Sequence, residues 1–331
     1  MYAEALTPPN EAPFPIGVRM AESLRELQRV LGNDKTLANL IPVAEHLEAG
    51  GTLQPEAYGI YFSLVRAIQA DSGHTFLAPM IASLARSPRP RGAPIAIRML
   101  SFEEFGRSGV REAREHFASP SLTSTQMGTV PSAAHCRMKR RLLDALGLIK
   151  SQAPNAWNDV SRITTEIIAT YGVSRGIMTF DGCSSLERYG SILVNMKRRR
   201  TPLVLAETLV HESAHSLLFA LSCNDHRVLN LPTELHKSPL RIDPRPLDGI
   251  YHAVFVLARM HGFVAEVARH PKTTNAMLIE ARKVLEERRK NFLDGHSVLV
   301  EHAQLTAVGR ELLEDAYERV NKATAAVFRQ N

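Results

Sequence analysis

The sequence predicts a mainly α-helical fold with a small β-sheet, of the α+β class. Apolar residues recur at helical spacing through most of the 331 residues, the pattern of helices that turn one face to a core. Only two short runs, Arg175–Gly182 and Tyr189–Met196, combine β-branched and aromatic residues between glycines as strands do. We therefore expect a histidine-bearing helix at residues 202–222 to pack against C-terminal helices, and we expect no cupin barrel.

The first 90 residues are predicted to form an N-terminal helical region. Two stretches, 18–32 and 37–51, place apolar residues at helical spacing and end at glycine, a frequent C-terminal signal. A third helix is predicted from Pro55, because proline fits the first turn of a helix. The segment Arg86–Pro94 cannot continue a helix, since its prolines lack the N–H donor. We take it as the boundary to an α+β region at residues 91–331, which carries the candidate catalytic residues.

The α+β region is predicted to place a few strands among helices. IAIRML (95–100) has the composition of a strand, and FEEFGRSGVREAREHF (102–117) that of an amphipathic helix. Residues 133–170 are predicted to be helical, and the two glycine-bounded runs then form a hairpin or small sheet. After a polar, proline-rich loop, three C-terminal helices are predicted, at Gly249–Arg269, at Thr273–Phe292 and within Val298–Arg329.

Cysteine content and hydropathy predict a soluble protein of the cytoplasm. The three cysteines, Cys136, Cys183 and Cys223, include no CxxC pair, which favours reduced thiols over a disulfide framework. The proline-rich N-terminus has neither the basic start nor the apolar core of a signal peptide. Polar residues interrupt the richest apolar stretch, Leu203–Leu221, so we expect no membrane-spanning helix and no membrane partner.

The chain is basic, with a net charge of +6, which raises the question of an anionic partner. Its basic clusters are short, at Lys139–Arg141, Lys197–Arg200 and Arg288–Lys290, and neither zinc-finger spacing nor an aromatic RNA-binding box accompanies them. We therefore expect no nucleic-acid partner. Because Lys197–Arg200 directly precedes the histidine-bearing helix, a further hypothesis is that an acidic substrate meets it there.

The motif HESAH, at residues 211–215, is the strongest chemical signal in the sequence. Positions four apart share one face of a helix, so His211 and His215 can bind one metal ion through their imidazoles. Glu212 projects beside them, where its carboxylate could take a proton from a metal-bound water. Burial of these polar groups in an otherwise apolar helix is costly unless they are paired or coordinated. We therefore predict a metal site with Glu212 as a catalytic residue.

The third ligand decides the class of metal site, and the sequence offers two candidates. Glu234 follows His215 by nineteen positions, a spacing close to that of zinc peptidases of the gluzincin type, but its context NLPTELHKSP predicts a loop. His252 lies near the start of a second apolar helix, DGIYHAVFVLARM, from which it can point towards the first. The helical context favours His252, and Glu234 stays the alternative.

Together, LVHESAHSLLF (209–219) and RIDPRPLDGIYHAVFV (241–256) resemble the HExxH-motif family of peptide-modifying enzymes associated with ribosomally synthesised natural products. The resemblance is strongest over Leu203–Arg259. It implies an iron(II)- and 2-oxoglutarate-dependent dioxygenase, a peptide hydroxylase that uses O2 to hydroxylate the β-carbon of a residue in a precursor peptide. It further implies three metal ligands, namely His211, His215 and His252.

The resemblance also implies an arginine near the metal, because a guanidinium fork binds the distal carboxylate of 2-oxoglutarate through two hydrogen bonds. Arg245 is the first candidate and Arg241 the second, with Arg259 as a further alternative. Non-haem iron oxygenases often use two histidines and one carboxylate. Three carboxylates therefore stay open as ligands, namely Glu212, Asp243 and Asp248. Glu212 could instead orient a histidine or a bound water.

A peptide substrate needs a groove, and an exposed strand edge can pair with an extended peptide. Tyr189, Ser191 and Asn195 alternate along the second predicted strand and share one face, so we name them as candidate substrate-binding residues. The alternative is that they form the solvent-exposed face of a hairpin.

Two other functions stay open besides the dioxygenase. One is a zinc metallopeptidase with Glu212 as general base and Glu234 as third ligand. The other is a non-catalytic, peptide-binding helical protein in which HESAH is structural or incidental.

Overall fold

The computed structural model describes residues 15–31, 38–70, 74–90, 92–119, 122–172, 180–198, 200–222, 226–238 and 243–328. Within these ranges the fold is mainly α-helical, with eleven α-helices, one five-stranded β-sheet and two pairs of two-residue strands, and it contains no closed barrel. The predicted fold class is therefore confirmed.

Four helices and a short strand pair make up the N-terminal region. They are α1 (Pro15–Leu31), α2 (Ile41–Glu48), β1 (Thr52–Leu53), α3 (Glu56–Gln69), α4 (His74–Ala85) and β2 (Pro88–Arg89). The segment predicted as a boundary thus contains a strand, which pairs antiparallel with β1. Apolar side chains of this region, such as Leu24 and Leu64, belong to the same core cluster as Leu217 and Val254 of the later helices. The N-terminal and α+β regions therefore share one core.

Three helices and the five-stranded sheet follow. They are β3 (Ala96–Met99), α5 (Phe102–Phe117), β4 (Met127–Gly128), α6 (His135–Gln152), α7 (Pro154–Ile163), β5 (Glu166–Gly172), β6 (Gly182–Ser184) and β7 (Ser191–Asn195). Ser101 caps α5, because its hydroxyl oxygen accepts the backbone N–H of Glu104 at 3.3 Å. The predicted strand at 95–100 and the predicted helix at 102–117 are both confirmed.

The sheet has the strand order β3-β5-β7-β6, with β4 joined to the end of β5. β3, β5 and β7 run parallel, and β6 runs antiparallel to β7. The helical prediction for 133–170 is wrong at its end, where Glu166–Gly172 is a strand. A short apolar run such as EIIATYG is ambiguous in a sequence, and burial between helices on both faces of the sheet decides in favour of the strand.

The predicted hairpin is present as the antiparallel pair of β6 and β7, with Gly182 opposite Val194 and Ser184 opposite Ile192. Residues 175–179 of the first predicted run lie outside the described residues. β7 is an inner strand between β5 and β6, so β6 is the edge on this side of the described sheet.

The C-terminal half consists of long helices. They are α8 (Pro202–Ser222), α9 (Leu247–Arg269), α10 (Asn275–His302) and α11 (Ala307–Phe328), with a strand pair of β8 (Leu235–His236) and β9 (Arg245–Pro246) before α9. The three predicted C-terminal helices are confirmed, and α8 packs against α9 as expected. α10 continues beyond its predicted end at Phe292, because Gly295 is buried within the helix and does not end it.

Helix α9 is the one described helix that is long and apolar enough to cross a membrane, and 72% of its apolar window is buried inside the protein. Burial of this kind is typical of the core helix of a soluble protein. Cys136 and Cys183 are free thiols, and Cys223 lies outside the described residues.

Candidate metal centre

The helix that carries HESAH is the central element of the candidate site. Thr201 precedes its first residue and caps it, because the Thr201 hydroxyl oxygen accepts the N–H of Val204 at 3.3 Å. Apolar side chains cover most of α8, and the sheet, α7 and α9 pack around it. Three of its polar side chains form a row along the helix. Glu207, His211 and His215 follow one another at intervals of four and therefore share one face.

The two histidines of the motif face each other across one helical turn. The Nε2 atoms of His211 and His215 lie 3.2 Å apart, and their ring centroids 4.9 Å apart. Two nitrogen ligands at about 2.0–2.1 Å from one metal ion stand about 3.0–3.4 Å from each other. The separation of the two Nε2 atoms therefore fits a shared metal ion.

His252 meets this pair from the facing helix α9. Its ring centroid lies 6.2 Å from that of His215 and 6.1 Å from that of Phe219. The structure thus brings the three predicted ligands together. As these side chains stand, no three His, Cys, Asp or Glu groups in the described part of the chain surround one metal position. His252 therefore has to turn its ring towards the other two Nε2 atoms to complete the set.

Burial favours the neutral form of all three imidazoles. It lowers the pKa of His211 to about 4, and the charge of Arg288 acts in the same direction. It also lowers the pKa of His215 well below its usual value, with a further contribution from the two other histidines. Burial lowers the pKa of His252, while Asp248 opposes that change. Neutral imidazole is the form that binds metal, so protons do not compete for these nitrogens at neutral pH.

Glu212 is buried beside His211 and is held by the edge strand β6. Its Oε1 lies 4.0 Å from His211 Nε2, and its Oε2 accepts a hydrogen bond from the Ser184 hydroxyl at 3.0 Å. A Cβ atom at Gly182 would lie 2.7 Å from Oε1, so glycine leaves the room that this carboxyl group occupies. Burial raises the pKa of Glu212 to about 8, although the hydrogen bond from Ser184 opposes the rise. The result is a carboxyl group that can hold a proton next to the candidate metal position.

Two charged residues of the centre were missed by the sequence reasoning. Glu207, one turn before His211, accepts two hydrogen bonds from Arg288, Nε to Oε1 at 2.8 Å and Nη2 to Oε2 at 3.1 Å. Burial raises the pKa of Glu207 against the effect of Arg288. Burial also lowers the pKa of Arg288, but its bonds to Glu207 outweigh this and leave a net rise. The interval of four between Glu207 and His211 could have indicated that Glu207 lies on the face of the histidines. Arg288 is distant in the chain, so no sequence spacing relates it to Glu207.

Met260 supports His211 from α9. Its Sδ lies 3.2 Å from His211 Nδ1. A thioether sulfur is a weak acceptor, so it suits a protonated Nδ1 and leaves Nε2 free as the metal-binding atom.

The arginines predicted to bind 2-oxoglutarate have different surroundings. Arg245 lies on β9, directly before α9, with its Nε 2.9 Å from Asp243 Oδ2 and a third of its side chain exposed. Arg241 lies outside the described residues. Arg259 is buried along α9, with its guanidinium 3.9 Å from the centre of the Phe255 ring. Of the two described arginines, only Arg245 is accessible to a ligand from solvent.

Besides Glu212, the two other open carboxylate candidates lie near the start of α9. Asp248 Oδ2 is 3.8 Å from His252 Nε2, one turn away, whereas Asp243 binds an arginine. Arg227 is a further buried cation of this end of the site, because its charge contributes to the lowered pKa of His252. No pattern in the sequence points to Arg227.

The residues predicted to bind substrate lie inside the fold, which corrects the expectation of an exposed face. The Ser191 hydroxyl donates to Glu166 at 2.7 Å, and the Asn195 amide bonds to backbone groups on either side. The Tyr189 ring packs edge-on against Tyr58, with centroids 5.1 Å apart. Tyr189 lies in the turn before β7, whereas Ser191 and Asn195 are interior because β7 has a strand on each side and helices on both faces.

Glu234, the alternative third ligand, is exposed in the loop before β8. Its carboxylate accepts hydrogen bonds from the Asn230 side chain at 2.9 Å and from the backbone N–H of Leu231 at 3.3 Å, and these bonds lower its pKa. These contacts hold Glu234 within its own surface loop.

Comparison with known proteins adds no family to this description. A scan against protein-family models gives no match, and a search of curated proteins gives none either. The residues of the site are therefore what indicates a function.

Proposed function

We propose that this protein is an iron(II)- and 2-oxoglutarate-dependent dioxygenase of the cytoplasm that hydroxylates the β-carbon of a residue in a ribosomally synthesised peptide. The supporting observation is the meeting of three imidazoles from two facing helices, with the Nε2 atoms of His211 and His215 3.2 Å apart and His252 beside them. Imidazole suits iron as a ligand, and three protein ligands leave coordination positions for a co-substrate and O2.

Iron(II), when bound, lets O2 oxidise 2-oxoglutarate to succinate and CO2 while the second oxygen atom enters the C–H bond as a hydroxyl group. Arg245 is the residue proposed to bind the distal carboxylate of 2-oxoglutarate. Its guanidinium now pairs with Asp243 at 2.9 Å, so the co-substrate would replace Asp243 and form two hydrogen bonds. Arg241 stays the second candidate for this role.

Glu212 is proposed to orient what binds beside His211. Ser184 holds one carboxyl oxygen, and the other lies 4.0 Å from His211 Nε2. Held in this way, the carboxyl group can form a hydrogen bond to a co-substrate or a water next to the histidine.

The test is to load metal-free protein with iron(II) under anaerobic conditions, to add 2-oxoglutarate and to record the visible absorption spectrum. A weak charge-transfer band is expected for the wild type, and it should be lost in Arg245→Ala and His252→Ala. Arg269→Ala is the matched control at the exposed end of α9 and should keep the band. Absence of the band in the wild type, with tight zinc binding and cleavage of test peptides, would overturn the proposal.

A zinc metallopeptidase is the second candidate, because Glu212 stands beside His211 as a general base would. Glu234 would then be the third ligand. In that case Glu212→Gln abolishes peptide cleavage and Glu234→Ala releases zinc, whereas His252→Ala has the smaller effect.

A further inference from the structure

Strand β6 has an unpaired side next to the candidate metal centre. In its antiparallel ladder with β7, the N–H of Asn195 donates to the carbonyl of Asp181 at 3.0 Å. Because the bonds of such a ladder alternate, the N–H and C=O groups of Gly182 and Ser184 point away from β7. Within the described ranges, no strand pairs with that side of β6. An edge of this kind is a template for another extended chain.

The two faces of β6 relate this unpaired side to the metal helix. Cys183 points to one face, where its Sγ lies 3.6 Å from the carbonyl oxygen of Phe117. Gly182 and Ser184 point to the other face, where both lie against the carboxyl group of Glu212. A chain added to β6 would continue the sheet and place alternate side chains on the Glu212 face.

Cations surround the start of β6. Arg198 and Arg200 both bind the carboxylate of Asp181, and Lys197 next to them is exposed. Three cations and one carboxylate leave this end of the strand positive. Half of the Arg198 side chain is exposed, so it can pair with a second carboxylate.

We propose that the free side of β6 binds an acidic peptide segment as an added strand, and that this strand aligns the substrate peptide with His211 and Glu212. The backbone groups of Gly182 and Ser184 set its register, and the cations Lys197, Arg198 and Arg200 attract its acidic side chains. The identification of this peptide as the substrate rests on the proposed function, whereas the added strand does not.

Substitution at Ser184 separates the backbone contact from the side-chain contact. The N–H of Ser184 faces away from β7, so Ser184→Pro keeps the ladder and removes the donor offered to a peptide. Ser184→Ala keeps that N–H and loses only the hydroxyl bond to Glu212. Ile97→Pro is the control for proline itself, because Ile97 lies on the opposite edge strand, where the N–H of Ala96 and not that of Ile97 faces β5.

The probe is a fluorescein-labelled decapeptide in which aspartate alternates with valine, and its binding is measured by fluorescence anisotropy. Ser184→Pro should weaken binding about five- to ten-fold, the effect of one lost hydrogen bond. Ser184→Ala and Ile97→Pro should change it less than about two-fold. A further probe is N-methylated at every residue. It should not bind, because it has no N–H group left to donate to the carbonyl groups of β6.

The N-methylated probe decides the matter even if Ser184→Pro does not fold. Equally tight binding of the methylated and unmethylated aspartate probes, or no saturable binding of the unmethylated one, would overturn the added strand. A lysine–valine decapeptide that binds as tightly would overturn the role of the cations. The anaerobic iron and 2-oxoglutarate spectrum reports separately on the proposed function. If the charge-transfer band appears but the aspartate probe does not bind, only the added strand is refuted. If the probe binds at β6 but the band is absent, only the dioxygenase proposal is refuted.

Discussion

The buried Glu207 and the partly buried Arg288 form a bidentate ion pair one helical turn before His211. The pair joins α8 to α10 through bonds of 2.8 and 3.1 Å, and only 3% of the Glu207 side chain is exposed. Because the Glu207 carboxylate is removed from water, it cannot lose its partner without a large cost in free energy. The pair therefore fixes the HESAH helix, and with it His211, against the C-terminal helices.

Arg288→Ala is expected to destabilise the protein by about 3–5 kcal/mol, because it leaves the Glu207 charge buried without a partner. Urea unfolding measures this loss. Arg289→Ala, at the exposed neighbouring position, is the control and should change the free energy of unfolding by less than about 0.5 kcal/mol. Replacing both members of the pair by leucine should recover much of the loss, and an unchanged midpoint in Arg288→Ala would contradict the prediction.

Gly182→Ala should displace the carboxyl group of Glu212, because the added Cβ would lie 2.7 Å from its Oε1. We expect a cost of about 1–3 kcal/mol in the free energy of unfolding. In a Glu212→Ala background the same substitution should cost almost nothing, so a double-mutant cycle isolates the clash. Gly147→Ala, in a helix with open space around it, should instead stabilise by up to about 1 kcal/mol. An equal cost for Gly182→Ala in both backgrounds would show that the strain lies elsewhere.

His261 should make the protein acid-sensitive. It is fully buried with its Nε2 3.1 Å from the Thr324 hydroxyl, and burial, followed by the charge of Arg289, lowers its pKa to about 4. Between about pH 6.5 and pH 4 the unfolded chain binds a proton here that the folded chain does not. Stability therefore falls as the pH drops through this window.

A His261→Gln variant should lose less stability than the wild type between pH 7 and pH 4.5, as measured by urea unfolding at each pH. The two losses in the free energy of unfolding should differ by what the uptake of one proton by the unfolded chain contributes, up to about 3 kcal/mol at the lowest pH. His226→Gln, at an exposed position, is the control. Parallel pH profiles of His261→Gln and the wild type would argue against this account.

Arg188 should be essential for joining the N-terminal region to the sheet. Its side chain is 1% exposed, and its Nη2 lies 2.6 Å from Glu56 of α3 and 3.2 Å from Glu166 of β5. Arg188→Ala should cost about 3–5 kcal/mol and increase hydrogen exchange in α3, because the buried carboxylate of Glu166 and the partly buried one of Glu56 lose a partner. Arg66→Ala removes an exposed pair with Glu187 and should cost at most about 1 kcal/mol. Similar losses in the two variants would contradict the assignment.

Local pattern was enough to predict most helices and two parts of the candidate centre. Apolar residues at helical spacing predict α9 because that spacing is what places one face in a core. The interval of four in HESAH predicts that His211 and His215 face each other, since helix geometry alone brings them together. His252 was also within reach of the sequence, because it begins an apolar helix that has to pack on another.

The tertiary structure decided what depends on neighbours distant in the chain. Glu166–Gly172 is a strand because partner strands and helices bury it, which its composition cannot show. Ser191 and Asn195 are interior for the same reason, since strand order and not alternation determines which strand is the edge. The sequence by itself thus determined the fold class and the histidine pair, because both follow from short-range periodicity. Packing alone brought Arg288 to Glu207 and β6 to Glu212, because such contacts depend on how distant segments meet.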